Sequence, residues 1–108
     1  MKVSELAEKL GFEIITLKND VDISAGYTSD LLSDVMANCP EEAILITIQA
    51  HKNTLAVAAQ LDLAGILLCN NKPVEKDMIE TAEKMDIAIL RTKENQFISS
   101  YKIYSALN

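Results

Sequence analysis

His51 is the only histidine in the 108-residue chain, and it lies in a polar segment, 49–53, directly after the apolar run 43–48. Histidine is the side-chain type that most readily exchanges a proton near neutral pH, so His51 is the first candidate for acid–base chemistry. No serine, cysteine or carboxylate is spaced with it as a catalytic triad or a metal-ligand set. The sequence therefore favours a role in fixing the loop by hydrogen bonding, with Asn53 capping the helix that follows.

The two cysteines, Cys39 and Cys69, are too far apart in the sequence for a C-x-x-C redox or zinc pair. His51 is the only histidine that could join them, so no metal is expected. No signal-peptide pattern is seen at the amino terminus, and there is no disulfide framework. These features favour a reducing cytoplasm, in which both thiols act as small buried hydrophobic groups.

Two further kinds of chemistry lack support in the spacing of the residues. A Walker A loop needs two glycines at a fixed spacing followed by Lys and Ser or Thr, which Gly11, Gly26 and Gly65 do not provide. The acidic pairs 20/22 and 30/34 have the character of a solvated surface rather than of a magnesium or paired-carboxylate site. The sequence therefore predicts no catalytic residues and no cofactor.

Composition and charge exclude other classes of protein. The chain is 49% hydrophobic and 24% charged, which suits a packed domain. Its net charge of -6 and its single arginine, Arg91, argue against a protein that binds nucleic acid through phosphate contacts. The longest apolar runs, 43–46 and 64–69, are far below membrane-spanning length. Neither a nucleic acid nor a membrane is an expected partner.

The elements that must position these residues follow from hydrophobic periodicity. Ser4 is the expected N-cap of a first helix that ends at Gly11, and Pro40 must lie beyond the end of a helix that starts near Asp30. Further helices are predicted over 53–61, 74–86 and 97–107. The last of these carries an apolar stripe of Phe97, Ile98, Tyr101, Tyr104 and Leu107. Strands are predicted over 12–17, 43–48, 64–69 and 87–90, with a candidate short strand at 21–23.

Buried strands that alternate with helices pack best as a mainly parallel sheet with right-handed crossovers. The sequence therefore predicts an α/β fold with three α/β/α layers in one domain, residues 1–108. The predicted core includes Ile14, Ile46, Ile48, Ile66, Leu68 and Ile89.

Ligands of open parallel sheets bind beyond the carboxyl ends of the strands. A helix that starts near Asn53 would direct free N–H groups and a positive dipole end at an anion. Tyr27 can stack on a base or pack beneath the sheet edge, and a glycine at 26 lets its loop approach closely. The predicted site comprises Gly26, Tyr27, Gln49, His51, Asn53 and Asn70, with an adenine nucleotide or a similar small anion as ligand. The alternative is that these polar residues are simply solvated loops.

Three blocks resemble the DRTGG-domain family. They are 26–36 (GYTSDLLSDVM), 46–58 (ITIQAHKNTLAVA) and 61–66 (LDLAGI). The resemblance runs over most of the chain and implies a module like the N-terminal domain of bacterial HPr kinase/phosphorylase, which lacks the kinase P-loop. The signature itself is altered, because the segment Asp22-Ile23-Ser24-Ala25-Gly26 keeps the first aspartate and the last glycine but has no arginine. If the arginine of the family meets an anion, this chain either binds something else there or uses another cation.

The contexts of the family, beside CBS domains or phosphotransacetylases, imply regulation. The sequence therefore predicts a non-catalytic regulatory or ligand-sensing module that acts as a homo-oligomer, with a homodimer expected, or bound to a partner enzyme. The first alternative is a protein-interaction or oligomerisation scaffold for a metabolic or redox enzyme. A small enzyme is the third hypothesis.

Overall fold

Helices and strands alternate through residues 1–108 except at the first two strands, which follow each other, and all of these residues are described by the computed structural model. The helices are α1 (Val3–Leu10), α2 (Leu32–Asn38), α3 (Lys52–Gln60), α4 (Lys76–Lys84) and α5 (Gln96–Leu107). The strands are β1 (Glu13–Thr16), β2 (Gly26–Thr28), β3 (Ile44–Thr47), β4 (Gly65–Leu68) and β5 (Ile89–Arg91). None of the helices is long and apolar enough to cross a membrane.

The five strands form one sheet in the order β1-β5-β4-β3-β2. Strands β2 to β5 are parallel, and β1 pairs antiparallel with β5 at one edge. Helices connect the parallel strands, as a parallel sheet requires. The prediction of a mainly parallel α/β sheet is confirmed.

The central strands are buried on both sides, because consecutive side chains point to opposite faces of the sheet. Along β3, Ile44 and Ile46 lie in a core cluster with residues of α1 and α5. Leu45 lies on the other face, in a cluster with residues of α2 and α3. Ile66 of β4 packs on that second face with residues of α3 and α4. Helices therefore cover both sides of the sheet, which gives the predicted three layers.

The first helix ends as predicted but begins differently. Gly11 has φ of 74°, the left-handed conformation that glycine adopts at helix ends without strain. The N-cap position is held by Lys2, and the predicted cap Ser4 lies inside the helix. The Ser4 hydroxyl and backbone N–H both donate to the carboxylate of Asp20 instead. Ser4 therefore ties the helix to the loop that follows β1.

The prediction of a short strand at 21–23 is wrong, and the strand β2 lies a few residues later in the sequence. Asp22 forms only an isolated bridge with Lys2. Gly26 to Thr28 pair in parallel with Ile44 to Ile46. A Gly-Tyr-Thr sequence lacks the apolar run of a buried strand, and it forms an edge strand here because the neighbouring strand supplies its hydrogen bonds.

Two of the six predicted core residues are not in the core. Ile14 is 47% exposed, because β1 is an edge strand on which residue 14 faces solvent. Ile48 is only partly buried and follows the last residue of β3. The remaining four residues, Ile46, Ile66, Leu68 and Ile89, are buried.

The apolar stripe predicted on the last helix is mostly exposed. Ser99 and Ile103 form the buried face of α5. Phe97, Tyr101 and Tyr104 are 79%, 69% and 70% exposed. The helix therefore packs through small and β-branched residues and presents its aromatic side chains to solvent.

Candidate functional site

The carboxyl ends of β2, β3, β4 and β5 meet at one edge of the sheet, because these strands are parallel. The segments that follow them are 29–31, 48–51, 69–75 and 92–95. Gln49, His51 and Asn70, three of the predicted ligand residues, lie in these segments. The fold therefore places half of the predicted site at the expected edge.

Asp30 organises this edge. Its Oδ1 accepts hydrogen bonds from the Thr47 hydroxyl and the Ile48 backbone N–H, both at 2.9 Å. The Gln96 side-chain amide, at the start of α5, donates to the same oxygen at 3.0 Å. One carboxylate thus connects the end of β2, the end of β3 and the start of α5. The prediction that Asp30 is a solvated surface residue is wrong. No pattern in the sequence marks Gln96.

Gln49 is half-buried and is held at three points. Its side-chain amide donates to the Asp30 carbonyl at 3.0 Å. Its backbone N–H donates to the Thr47 hydroxyl at 3.2 Å, and its carbonyl accepts from the buried Thr54 hydroxyl at 2.8 Å. These bonds fix the path of the chain from β3 into α3. Gln49 therefore shapes the edge, and its side-chain carbonyl oxygen is left without a protein partner.

His51 and Asn53 lie at the start of α3, and both are exposed. The N-cap residue is His51, and no side chain caps the helix. The prediction that Asn53 is the cap is wrong, because Asn53 is the second residue of the helix. The His51 side chain makes no hydrogen bond to the protein, so the predicted loop-fixing role is also wrong. The first N–H groups of α3 consequently face the carboxyl edge without a capping side chain, although that of Thr54 donates to the His51 carbonyl at 3.0 Å.

Asn70 occupies a tight turn after β4. Asn70 and Asn71 have φ of 59° and 50°, a left-handed conformation that asparagine tolerates better than most residues. Their backbone N–H groups donate to the carbonyls of Glu94 and Thr92 at 2.9 and 2.8 Å. The turn is thereby fixed against the segment after β5, and the exposed Asn70 side chain is held at the carboxyl edge.

Gly26 and Tyr27 lie within β2 and not in the segments at the carboxyl edge. Gly26 is paired with Ile44, the first residue of β3, whereas Gln49 lies two residues beyond the last residue of that strand. The Tyr27 hydroxyl donates to Asp34 at 2.8 Å. This hydrogen bond raises the pKa of Tyr27, and the bonds from Asn38, Ser29 and Tyr27 lower the pKa of Asp34. The structure does not bring Gly26 and Tyr27 together with the other four predicted residues.

The two cysteines are free and buried. Burial raises the pKa of the Cys39 thiol to about 11. Burial also raises the pKa of Cys69, and the nearby carboxylates of Asp30 and Glu94 act in the same direction, whereas the neighbouring Ser99 hydroxyl opposes the rise. Neither thiol is activated as a nucleophile.

Two of the cations around this edge, Arg91 and Lys52, are paired, whereas Lys72 and Lys93 make no salt bridge. Arg91, the only arginine, donates to the Glu13 carboxylate at 2.9 and 3.2 Å and to the Lys72 carbonyl at 3.3 Å. Lys52 at the start of α3 lies 3.0 Å from Asp77. No group of three or more His, Cys, Asp and Glu side chains is arranged to hold a metal ion. Recognition of an anion here would thus draw on N–H groups, on amides and on Lys72 and Lys93 rather than on Arg91.

Comparison with known proteins links this fold to one solved structure in particular. A crystal structure of the CBS and DRTGG domains of the regulatory region of Clostridium perfringens pyrophosphatase, complexed with its activator diadenosine tetraphosphate, is similar with a TM-score of 0.75. The match covers 94% of this chain at 16% sequence identity and 45% of that chain. This chain therefore spans less than half the length of the protein it matches, and the likeness concerns the fold. No family model matches the sequence. No curated protein matches it.

Proposed function

We propose that this chain is a non-catalytic regulatory module that binds an adenine nucleotide or a similar small anion at the carboxyl edge of its sheet. The observation that carries the proposal is the likeness of 94% of the chain to part of a regulatory region bound to an adenine-nucleotide activator. The resemblance of 26–36, 46–58 and 61–66 to the DRTGG family supports the same regulatory class. The HPr kinase/phosphorylase N-terminal domain is the wider analogy.

The proposed site is built around the start of α3. The helix has nine residues, and its first N–H groups have no capping side chain. Such a helix end attracts negative charge, since its free N–H groups and its dipole both favour an anion. His51 and Asn53 flank these N–H groups, and Gln49 and Asn70 border the same edge. Gly26 and Tyr27 are not part of this site, because Gly26 is paired with the first residue of β3 and the Tyr27 hydroxyl is bonded to Asp34 of α2.

The missing arginine of the DRTGG-like segment agrees with this mode of binding. Ile23 and Ser24 occupy the two positions after Asp22. Arg91 forms a salt bridge with Glu13, and Lys52 forms one with Asp77. We therefore expect weak or moderate affinity that depends on backbone N–H groups and on His51, and that decreases with added salt.

Isothermal titration calorimetry with AMP, ATP and diadenosine tetraphosphate tests this proposal. Asn53→Ala and His51→Ala should each weaken nucleotide binding, and neither should unfold the protein, because both side chains are exposed. Asn19→Ala is the matched control. Asn19 is an exposed asparagine beside Glu42, Asp62 and Asp86, at the opposite edge of the sheet. Binding that His51→Ala and Asn53→Ala leave unchanged would contradict the proposed site.

A scaffold function is the second proposal, and the aromatic face of α5 favours it. Three aromatic side chains exposed by more than two thirds, on one helix, are a typical feature of protein interaction surfaces. In this proposal the module acts through self-association or by binding a partner enzyme in a reducing cytoplasm. Absence of binding to all three nucleotides, together with self-association, would favour the scaffold.

A further inference from the structure

Strand β2 leaves one edge of the sheet open. The Ser29 N–H donates to the Ile46 carbonyl at 3.2 Å, and the Ile44 N–H donates to the Ala25 carbonyl at 2.9 Å. Because hydrogen bonding alternates along a strand, residues 25, 27 and 29 bond to β3. The N–H and carbonyl groups of Gly26 and Thr28 therefore point away from the sheet. Such an open edge is a template for pairing with another strand.

The exposed aromatic stripe of α5 lies beside this open edge. The Ser100 and Thr28 hydroxyl groups are 2.6 Å apart. Tyr104 and Leu107 line a cavity of about 410 Å³ together with Gly26 of the edge strand. Phe97 and Tyr101 share the helical face of Tyr104, since residues three and four apart are neighbours on a helix. The open edge and the aromatic stripe form one surface, which we call the β2–α5 surface.

The β2–α5 surface is nearly uncharged. Strand β2 has no charged residue, and the only charged residue of α5 is Lys102, which is 2.6 Å from Glu94. A charged partner would find no complementary charge here. Two copies of a chain with net charge -6 repel each other, so an uncharged surface is where they can approach.

We propose that a second copy of this chain binds to the β2–α5 surface, with the two β2 strands antiparallel about a two-fold axis at Tyr27. This arrangement places Gly26 opposite Thr28 of the second copy. Both residues have outward-facing backbone groups, so each such pair can exchange two hydrogen bonds, and the axis generates two pairs. The two sheets then form one continuous sheet, and the two α5 helices meet on the same side of it.

The exposed aromatic side chains supply a large part of the area that a dimer needs. Each aromatic side chain buries about 200 Å² when fully enclosed, so the exposed parts of Phe97, Tyr101 and Tyr104 amount to about 440 Å². A stable interface buries about 800 Å² on each partner. The three side chains supply about half of that, and the cavity lining and the strand edge adjoin them. This inference rests on the self-association part of the proposed function and not on nucleotide binding.

Analytical ultracentrifugation over about 1 to 200 µM, a range that covers weak association, tests the inference. Wild-type protein should reach twice the 11.9 kDa mass of the chain. Thr28→Pro removes an N–H that points away from the monomer's own sheet, and proline is tolerated in edge strands. It should raise the dimer dissociation constant by about tenfold or more, since it removes two hydrogen bonds from the symmetric pair. Thr28→Val keeps the N–H and is the matched control, which should change the constant by less than about threefold.

A second pair of variants does not alter the strand. Tyr101→Ser, at an exposed position, should also raise the dissociation constant by about tenfold or more. Met85→Ser is its control, because Met85 is an exposed apolar residue that follows α4, and α4 packs near the far edge strand β1. A protein that stays monomeric at all concentrations would overturn both self-association and this surface. A dimer that resists Tyr101→Ser would overturn the surface and leave self-association standing. Nucleotide binding measured on the same variants reports separately on the ligand site.

Discussion

The Thr47 hydroxyl donates to Oδ1 of Asp30 at 2.9 Å, and this bond connects the last residue of the buried strand β3 to the loop after the edge strand β2. Thr47 is fully buried, so its hydroxyl needs a partner within the protein. The same oxygen of Asp30 also accepts the Ile48 N–H and the Gln96 amide. The Asp30 side chain therefore ties β3 and α5 to the loop after β2, and the Asp30 backbone carbonyl accepts a hydrogen bond from the side chain of one predicted ligand residue, Gln49.

Replacement of Asp30 should lower the free energy of unfolding. Asp30→Ala leaves the Thr47 hydroxyl and the Ile48 N–H without an acceptor, which should cost about 2 to 4 kcal/mol. Asp30→Asn keeps an acceptor oxygen at the same place and should cost less than about half of that. Glu80→Ala, which removes an exposed carboxylate without a hydrogen bond, should stay within about 0.5 kcal/mol. Urea unfolding followed by circular dichroism measures all three. Equal losses for Asp30→Ala and Glu80→Ala would contradict the role of Asp30.

The sequence predicted the central strands well, because β3, β4 and β5 are buried on both faces and consist almost wholly of apolar residues. For the edge strands, it predicted the position of β1, at 12–17, but not which of its residues are exposed, and it misplaced β2. Ile14 has the residue type of a core position, yet an edge strand can leave one of its faces to solvent. The sequence pattern of a half-buried strand does not reveal which edge it occupies.

Paired substitutions of isoleucine test this difference between centre and edge. Ile46 is 2% exposed, so Ile46→Ala should cost about 2 to 4 kcal/mol through lost burial and a new cavity. Ile14 is 47% exposed, and Ile14→Ala should cost less than about 1 kcal/mol. Chemical denaturation of both variants gives the comparison. A loss for Ile14→Ala as large as that for Ile46→Ala would mean that β1 is covered in solution.

Only some residues of the carboxyl edge could be predicted from the sequence, because others are brought there by contacts between distant parts of the chain. The rule that the carboxyl ends of parallel strands meet at one edge predicted that Gln49, His51 and Asn70 lie at the same edge, and the structure has this placement. Asp30 and Gln96 are 66 positions apart in the sequence and meet only because α5 returns to the end of β2. The spacing of the aromatic residues of α5 is typical of a buried helix face. The buried residues of this helix are instead Ser99 and Ile103.

Both thiols should react slowly with alkylating reagents in the folded protein. The pKa of Cys39 is raised from 9.0 to about 11, so the fraction of thiolate near pH 8 falls about a hundredfold. The pKa of Cys69 is also raised, which lowers its thiolate fraction in the same direction. Iodoacetamide labelling, with mass spectrometry to separate the two sites, should therefore be much slower than in urea-unfolded protein. Labelling of native Cys39 at the unfolded rate would contradict its burial.

The contact between Ser4 and Asp20 should make stability depend on acid pH. Burial acts to raise the pKa of Asp20, but the side-chain and backbone hydrogen bonds from Ser4 and the charge of Lys2 leave it below 3.8. A carboxyl group whose pKa is lowered by folding stabilises the protein above its unfolded pKa. That stabilisation is lost as pH falls through the folded pKa. Ser4→Ala removes the hydroxyl bond and keeps the N–H bond at 3.0 Å.

Ser4→Ala should therefore lower the free energy of unfolding by about 1 kcal/mol near pH 7, a value kept small by solvent around this partly exposed pair. The difference from wild type should shrink as pH falls through the folded pKa of Asp20, because protonation removes the carboxylate charge in both proteins. Ser105→Ala is the control, since Ser105 is exposed on α5 and its side chain makes no hydrogen bond. Its effect should be small and independent of pH. Urea unfolding at intervals between pH 2 and pH 7 provides the measurement, and a Ser4→Ala difference that is constant with pH would show that the hydroxyl does not act through the Asp20 charge.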